Sequence, residues 1–254
     1  MGGKKALLVG INYTGTDNAL NGCINDIENM TEVLKQEFGY KDTDITIITD
    51  NTNMKPTRCN IMKELLNLIL SDATDLYFHY SGHGSQVKDV SDDEVDKMDE
   101  CLVPIDYDIN GMILDDELKG LLQCLNSDKK LTMVLDCCHS GSGVDLAYNV
   151  YERAGKLALL KDPDIKTNNT RGRVICISGC KDNQTSADAF EAGEYQGALT
   201  FSFIGAIKNI KKPQRTLENI YRSMRGTLLQ NHYTQIPCIT AGNNMTKLNE
   251  ILSL

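Results

Sequence analysis

Asp75-Leu76-Tyr77-Phe78-His79-Tyr80-Ser81-Gly82-His83-Gly84 is an apolar run of strand length that stops abruptly in a loop of small residues. A second stretch repeats the pattern: Leu131-Thr132-Met133-Val134-Leu135 runs into Asp136-Cys137-Cys138-His139-Ser140-Gly141-Ser142. Outward from these two, Lys5 to Ile11 is another short apolar run, and Ile45-Thr46-Ile47-Ile48-Thr49 is a β-branched strand. Between them Ile24, Ile27, Met30, Val33, Leu34 and Phe38 follow helical spacing, with Gly39 as the stop. Thr57 caps a second helix whose apolar face is Ile61, Leu65, Leu66 and Ile69. Further helices are expected over 115–125, 197–210 and 216–230, and further strands over 174–178 and 236–240. Strands alternating with helices predict an α/β fold with a mainly parallel central sheet and helices on both faces. With neither internal repeat nor low-complexity tract, a single domain over 1–254 is expected.

The chain has 254 residues, 41% apolar and 24% charged, which excludes collagen-like and fully disordered classes. Its charge is unevenly placed. Of the net −9, the segment from Lys88 to Glu117 holds twelve acids against two lysines. That balance argues against nucleic acid and anionic membrane as partners and for a cation. No run approaches the ~18 apolar residues of a membrane span. The short run after Met1-Gly2-Gly3-Lys4-Lys5 is not a signal peptide, so a cytoplasmic location is expected. The cysteines are odd in number and contain no CxxC pair, which speaks against disulfides and a cysteine-based zinc site. Cys59, Cys101, Cys124, Cys176 and Cys238 lie in apolar contexts and read as buried.

In open parallel sheets ligands bind beyond the carboxyl ends of the strands. His83 lies just past one such end and Cys138 just past another. A histidine beside a cysteine is the minimum apparatus for nucleophilic catalysis. Gly82 and Gly84 would leave room for a substrate backbone, and the N–H groups of Gly84 and Cys138 could stabilise an oxyanion. His79, inside the strand, has no chelating spacing with His83. His232 is expected at the surface.

Tyr80-Ser81-Gly82-His83-Gly84 together with Asp136-Cys137-Cys138-His139-Ser140-Gly141-Ser142 resembles the two catalytic blocks of metacaspases. Further blocks agree along the chain: Leu20-Asn21-Gly22-Cys23-Ile24-Asn25-Asp26, Asp99-Glu100, Ile113-Leu114-Asp115-Asp116-Glu117, Ile177-Ser178-Gly179-Cys180-Lys181-Asp182 and Tyr233-Thr234-Gln235-Ile236-Pro237. The resemblance implies a caspase-like fold with a large-subunit-like region over 1–154, an exposed connection over 155–172 and a small-subunit-like region over 173–254. The short connection resembles type I members. These commonly carry an extended region ahead of the first strand, which here starts within about five residues of Met1. The resemblance further implies Cys138 as nucleophile, His83 as its partner, and an S1 pocket for Lys or Arg lined by Cys23, Asp26, Ser81 and Asp136. Carboxylates at the rim of the sheet would select a cation. Partners would be proteins or peptides with a basic P1 residue, and the chain would be a monomer.

The acidic segment admits two metal readings. Asp106-x-Asp108-x-Asn110-Gly111 followed six residues on by Glu117 satisfies the EF-hand loop pattern, although Pro104 and a strand-like run precede it. The resemblance places calcium on Asp99, Asp115, Asp116 and Asp145 instead. The expected activity is that of a calcium-dependent cysteine endopeptidase cutting after Arg or Lys, including within 155–173 of its own chain. A catalytically idle scaffold acting by protein binding is the alternative, and a redox sensor on vicinal Cys137 and Cys138 a weaker one.

Overall fold

The computed structural model describes residues 2–88, 98–137, 144, 146–163, 170–179, 188–191 and 194–254. In chain order the elements are β1 (Lys4–Gly10), α1 (Cys23–Phe38), β2 (Ile45–Thr49), α2 (Arg58–Leu70), β3 (Asp75–Ser81), β4 (Gly84–Lys88), β5 (Met98–Leu102), the single turn α3 (Tyr107–Asn110), β6 (Ile113–Leu114), α4 (Asp115–Leu122) and β7 (Lys130–Asp136). There follow β8 (Tyr148–Arg153), β9 (Lys156–Lys161), β10 (Arg173–Ser178), β11 (Asp188–Glu191), β12 (Glu194–Gly197), α5 (Ala198–Asn209), α6 (Leu217–Gln230) and β13 (Cys238–Ala241).

Eight strands form the main sheet in the order β2-β1-β3-β7-β10-β13-β8-β9. The first five are parallel, and β13, β8 and β9 each run antiparallel to their neighbour. Burial on both faces explains why the parallel strands read as continuous apolar runs. Leu7, Val9, Phe78, Tyr80, Met133 and Leu135 point to one face, where Ile61, Leu65, Leu118 and Leu122 of α2 and α4 cover them. Ala6, Leu8, Tyr77 and Val134 point to the other, under Ile27, Met30 and Leu34 of α1, Leu199 and Phe203 of α5, and Met224 of α6. Gly39 closes α1 in the left-handed conformation, and the Thr57 hydroxyl accepts from Asn60 N at α2, both as expected.

Three features depart from the expectations. The 155–172 stretch contains β9, an exposed edge strand paired with β8. Its helix-forming sequence, Lys156-Leu157-Ala158-Leu159-Leu160-Lys161, is overridden by pairing to the β-prone Tyr148-Asn149-Val150-Tyr151. The acidic segment carries strands of its own: β5 and β6 form a small antiparallel sheet with β4, which leads into the segment. Finally, Cys59 and Cys124 are exposed and Cys238 is half-buried, while Cys101 and Cys176 are buried as expected. Apolar neighbours in sequence fix neither the face of a helix that a cysteine such as Cys59 occupies nor the burial of one at an element's end, such as Cys124 and Cys238.

Candidate active site

The parallel strands end together at one rim. Gly10 stands opposite Ser81, Ser81 opposite Asp136, and Leu135 opposite Ser178. The chain leaving β1, β3 and β7 therefore meets at the carboxyl edge, as the topology rule requires.

His83, half-buried, sits just past β3. Its Nε2 lies 2.7 Å from the carbonyl oxygen of Asn18, in the loop after β1. A carbonyl only accepts, so Nε2 carries the proton and Nδ1 is the nitrogen left to take one; the tautomer is assigned from that partner. The His83 backbone is equally tied down. Its N–H donates to the Tyr13 hydroxyl at 3.0 Å and its carbonyl accepts from Tyr80 at 2.8 Å. Burial pushes both tyrosine hydroxyls up in pKa, so they stay neutral donors. Gly82 is required here for a reason other than the expected one. A Cβ at 82 would come 2.8 Å from the Tyr80 hydroxyl oxygen and 3.1 Å from that of Tyr13. The space beside Gly82 is filled by tyrosines, not kept for substrate. Gly84 opens β4, opposite Leu102.

Cys137 ends the described run after β7 with its side chain buried in the core. Cys138, Asp145 and His139 to Ser142, together with 180–187, lie outside the described residues.

The expected pocket carboxylates do come together. Asp26, in the first turn of α1, is fully buried, and Asp136, at the end of β7, is 4% exposed. The Ser81 hydroxyl donates to Asp26 Oδ2 at 2.6 Å. Gly197 N donates to both Asp26 oxygens, at 2.9 and 3.1 Å, and Thr200 N donates to Asp136 Oδ2 at 2.8 Å. Both acids thus sit on the first turn of α5, where the backbone dipoles favour negative charge. A Cβ at 197 would fall 2.1 Å from Asp136 Oδ2 and 2.7 Å from Asp26 Oδ2. Gly197 is therefore the spacer between two carboxylates that flank one point. Cys23 is buried one turn before Asp26.

Next to this carboxylate pair lies His79, fully buried, with Nδ1 2.9 Å from the Tyr77 hydroxyl and Nε2 3.1 Å from Thr200 Oγ1. Burial drives its pKa down to about 3, so the ring is a neutral bridge between β3 and α5. Sequence reading dismissed His79 and missed Asn18, Tyr13, Tyr80, Gly197 and Thr200. Most of these act through backbone groups, or hydroxyls on distant segments, that leave no spacing signal.

Asp99, Glu100 and Asp115 are buried around Cys101. Burial, with the fields of Asp115, Glu100 and Asp99, pushes that thiol up to about 12. Register explains the gathering: Cys101 pairs with Leu114, so Asp115 follows beside Glu100. Asp116 is half-exposed, 3.5 Å from Lys119. Among the described residues no three His, Cys, Asp or Glu side chains are arranged as a metal cage. The donor chemistry of Asp99 in β5 and of the adjacent Asp115 and Asp116 at the start of α4, hard carboxylate oxygens, is nevertheless of the kind that suits calcium. The EF-hand pattern is spent otherwise. Asp106 accepts from Arg58 N at 2.8 Å and from Asn110 Nδ2 at 2.7 Å, while Glu117 pairs with the Arg58 guanidinium and accepts from Leu114 N at 3.1 Å.

Solved structures share this architecture. Caspase-1 from Spodoptera frugiperda superposes with a TM-score of 0.61 at 13% identity, over 94% of this chain and 86% of its own. A protein from Geobacter sulfurreducens superposes with a TM-score of 0.67 at 24% identity, over 98% and 97%. At such identities the likeness shows the fold alone, and that fold is caspase-like. Sequence similarity reaches further. Metacaspase-1 from Debaryomyces hansenii is 38% identical over 95% of this chain, which spans 65% of that protein's length. Metacaspase-1 from Ajellomyces capsulatus is 36% identical over 95%, spanning 80% of its length. The family profile described as metacaspase, peptidase C14 domain matches residues 4–147, the stretch that carries the rim, His83 and both pocket carboxylates, and with these relatives it shows that the chain belongs to the metacaspase family.

Proposed function

We propose that the chain is a calcium-dependent cysteine endopeptidase that cleaves peptide bonds after Arg or Lys. The observation that carries this reading is the buried pair Asp26 and Asp136, flanking one point beside Gly197 at the rim that also holds His83. A guanidinium or ammonium entering there meets two carboxylates already held by N–H donors, and an acidic side chain meets repulsion. In the proposed reaction the Cys138 thiolate adds to the scissile carbonyl carbon. The N–H groups of Gly84 and Cys138 stabilise the oxyanion, and His83, protonated at Nδ1, hands a proton to the leaving amine. Water, deprotonated by His83, then releases the acyl group and regenerates the thiol. Calcium would be held by Asp99, Asp115, Asp116 and Asp145; when bound it supplies positive charge that neutralises their mutual repulsion.

Among the described residues no helix is long and apolar enough to cross a membrane. The proposed enzyme is a cytoplasmic monomer acting on protein substrates, and the acidic charge balance speaks against nucleic acid and anionic membrane as partners. Self-cleavage is proposed within 155–173. Lys156 and Lys161 are held in the β8–β9 ladder and Arg173 starts β10, whereas Arg171 is exposed outside any strand. Lys166 lies outside the described residues.

The test is hydrolysis of fluorogenic peptides with Arg, Lys or Asp at P1, with and without calcium. Cleavage of the basic pair alone, only with calcium and lost in Cys138→Ala, is expected. Efficient cleavage after Asp would overturn the pocket assignment, and no hydrolysis at all would favour an idle scaffold. Asp115→Ala with Asp116→Ala should abolish calcium activation, and Asp106→Ala with Asp108→Ala should retain it. The reverse result would return calcium to the EF-hand-like segment.

A further inference from the structure

Tyr13 combines three unusual features. Its backbone is left-handed, at φ 49°, a conformation that is uncommon for a bulky side chain. The other described non-glycine residues with positive φ, Ala154 and His232, are exposed, whereas Tyr13 is 2% exposed, so packed contacts hold its conformation. The N–H groups on either side of it converge on one carboxylate. Asn12 N donates to Asp50 Oδ1 at 2.9 Å and Thr14 N donates to Asp50 Oδ2 at 3.1 Å. Asp50 follows β2 directly, at the same rim.

What this strained turn presents is a ring and a hydroxyl, both aimed at His83. The phenol ring lies 4.7 Å from the imidazole, centroid to centroid, at 37°. The hydroxyl donates to Val103 O at 2.6 Å and accepts from His83 N at 3.0 Å. Tyr80 completes a reciprocal set, donating to His83 O and accepting from Val103 N at 3.2 Å. The same loop also supplies the Asn18 carbonyl that holds Nε2. Strained conformations of this kind persist where the surroundings over-determine them, and an observed outlier is the right starting point for an inference of function.

We infer that Tyr13, locked in its left-handed turn by Asp50, is a positioning residue that fixes His83 in the place and orientation it needs for catalysis. The inference rests on reading His83 as the partner of Cys138 and goes beyond it in naming what aims the imidazole. Tyr13→Phe keeps the ring but orphans His83 N–H, and the single Tyr80 proton can then serve His83 O or Val103 O, 3.0 Å away, but not both. Asp50→Asn keeps the side-chain shape but replaces one of the two acceptors with a donor facing an N–H.

The experiment measures kcat and KM on an Arg peptide in calcium buffer, and separately the rate at which iodoacetamide alkylates Cys138 near pH 6, where a thiolate depends on its histidine partner. Tyr13→Phe should lower kcat tenfold to fiftyfold with KM within twofold, and should slow alkylation in parallel. Asp50→Asn should shift both readouts the same way by threefold to tenfold. Tyr151→Phe, whose hydroxyl is exposed on β8, should change neither. A Tyr13→Phe enzyme with lowered thermal stability but unchanged kcat and alkylation would overturn the inference, leaving the tyrosine a packing residue. If Tyr13→Phe does not fold, Asp50→Asn decides alone: unchanged alkylation overturns it. A wild-type chain alkylated quickly at Cys138 that cuts no basic peptide would overturn the proposed substrate instead.

Discussion

His79 and His83 stand four residues apart, one inside β3 and one in the loop that follows, and their surroundings give them opposite chemistry. His79 is sealed between Tyr77 and Thr200, with its pKa driven down to about 3 by burial. His83 is half-buried at the rim, one nitrogen spent on the Asn18 carbonyl and the other left to exchange a proton. Residue type alone does not separate them. Position relative to the strand end does, because a side chain within a doubly covered parallel sheet is desolvated whereas one past its end meets solvent and ligand. The inner histidine braces the sheet against α5; the outer one stands at the rim where the proposed reaction would take place.

Replacing each histidine should break the comparison in opposite directions. His83→Ala should cost at least ~10³-fold in kcat/KM, about 4 kcal/mol of transition-state stabilisation, with little change in thermal midpoint. Steady-state kinetics beside a melting curve read both; a large fall in midpoint with activity intact would reverse the two roles.

The pocket acids braced by α5 should come next. Asp136→Ala or Asp26→Ala removes one side of a buried charge pairing and should raise KM for Arg substrates by an amount equivalent to ~2–5 kcal/mol. Comparing Arg and Lys peptides of one sequence checks it, and an unchanged KM would detach the carboxylates from substrate recognition.

His79 should declare itself through stability and pH. His79→Leu leaves the Tyr77 and Thr200 hydroxyls without their ring partner and should cost about 2–3 kcal/mol of folding stability. In the wild-type chain the unfolded His79 binds a proton below 6.5 and the folded one only near 3, so its contribution is complete above pH 6.5 and is lost as pH falls toward 3. Between pH 6.5 and 5 this amounts to roughly 2 kcal/mol, a slope that His79→Leu should lack in denaturant titrations. Equal slopes would mean that other groups carry the acid sensitivity.

The smallest effect is expected at Cys137, buried beside the tyrosines that hold His83. Cys137→Ala should cost about 1 kcal/mol of stability and leave peptidase activity within a few-fold. Equal loss of activity in Cys137→Ala and Cys138→Ala would mean that the wrong sulfur had been assigned.

The sequence by itself determined the alternation of strands and helices, the caps at Gly39 and Thr57, and the placement of His83 past a strand end, because each rests on local periodicity and turn chemistry that neighbouring residues carry. It also pointed to Asp26, Ser81 and Asp136 through resemblance. Only the tertiary structure decided how those acids are held, since Gly197 and Thr200 act through backbone N–H groups 171 and 64 residues away in the chain. It likewise turned helix-prone residues 156–161 into an edge strand, where ladder pairing outweighs propensity. And it gave Asp106 and Glu117 partners in Arg58, because the guanidinium at the start of α2 lies within reach of Glu117 while Asp106 takes the Arg58 N–H. Local patterns are written in adjacent side chains; distant backbone donors, desolvation and competing charge partners exist only once the chain has folded.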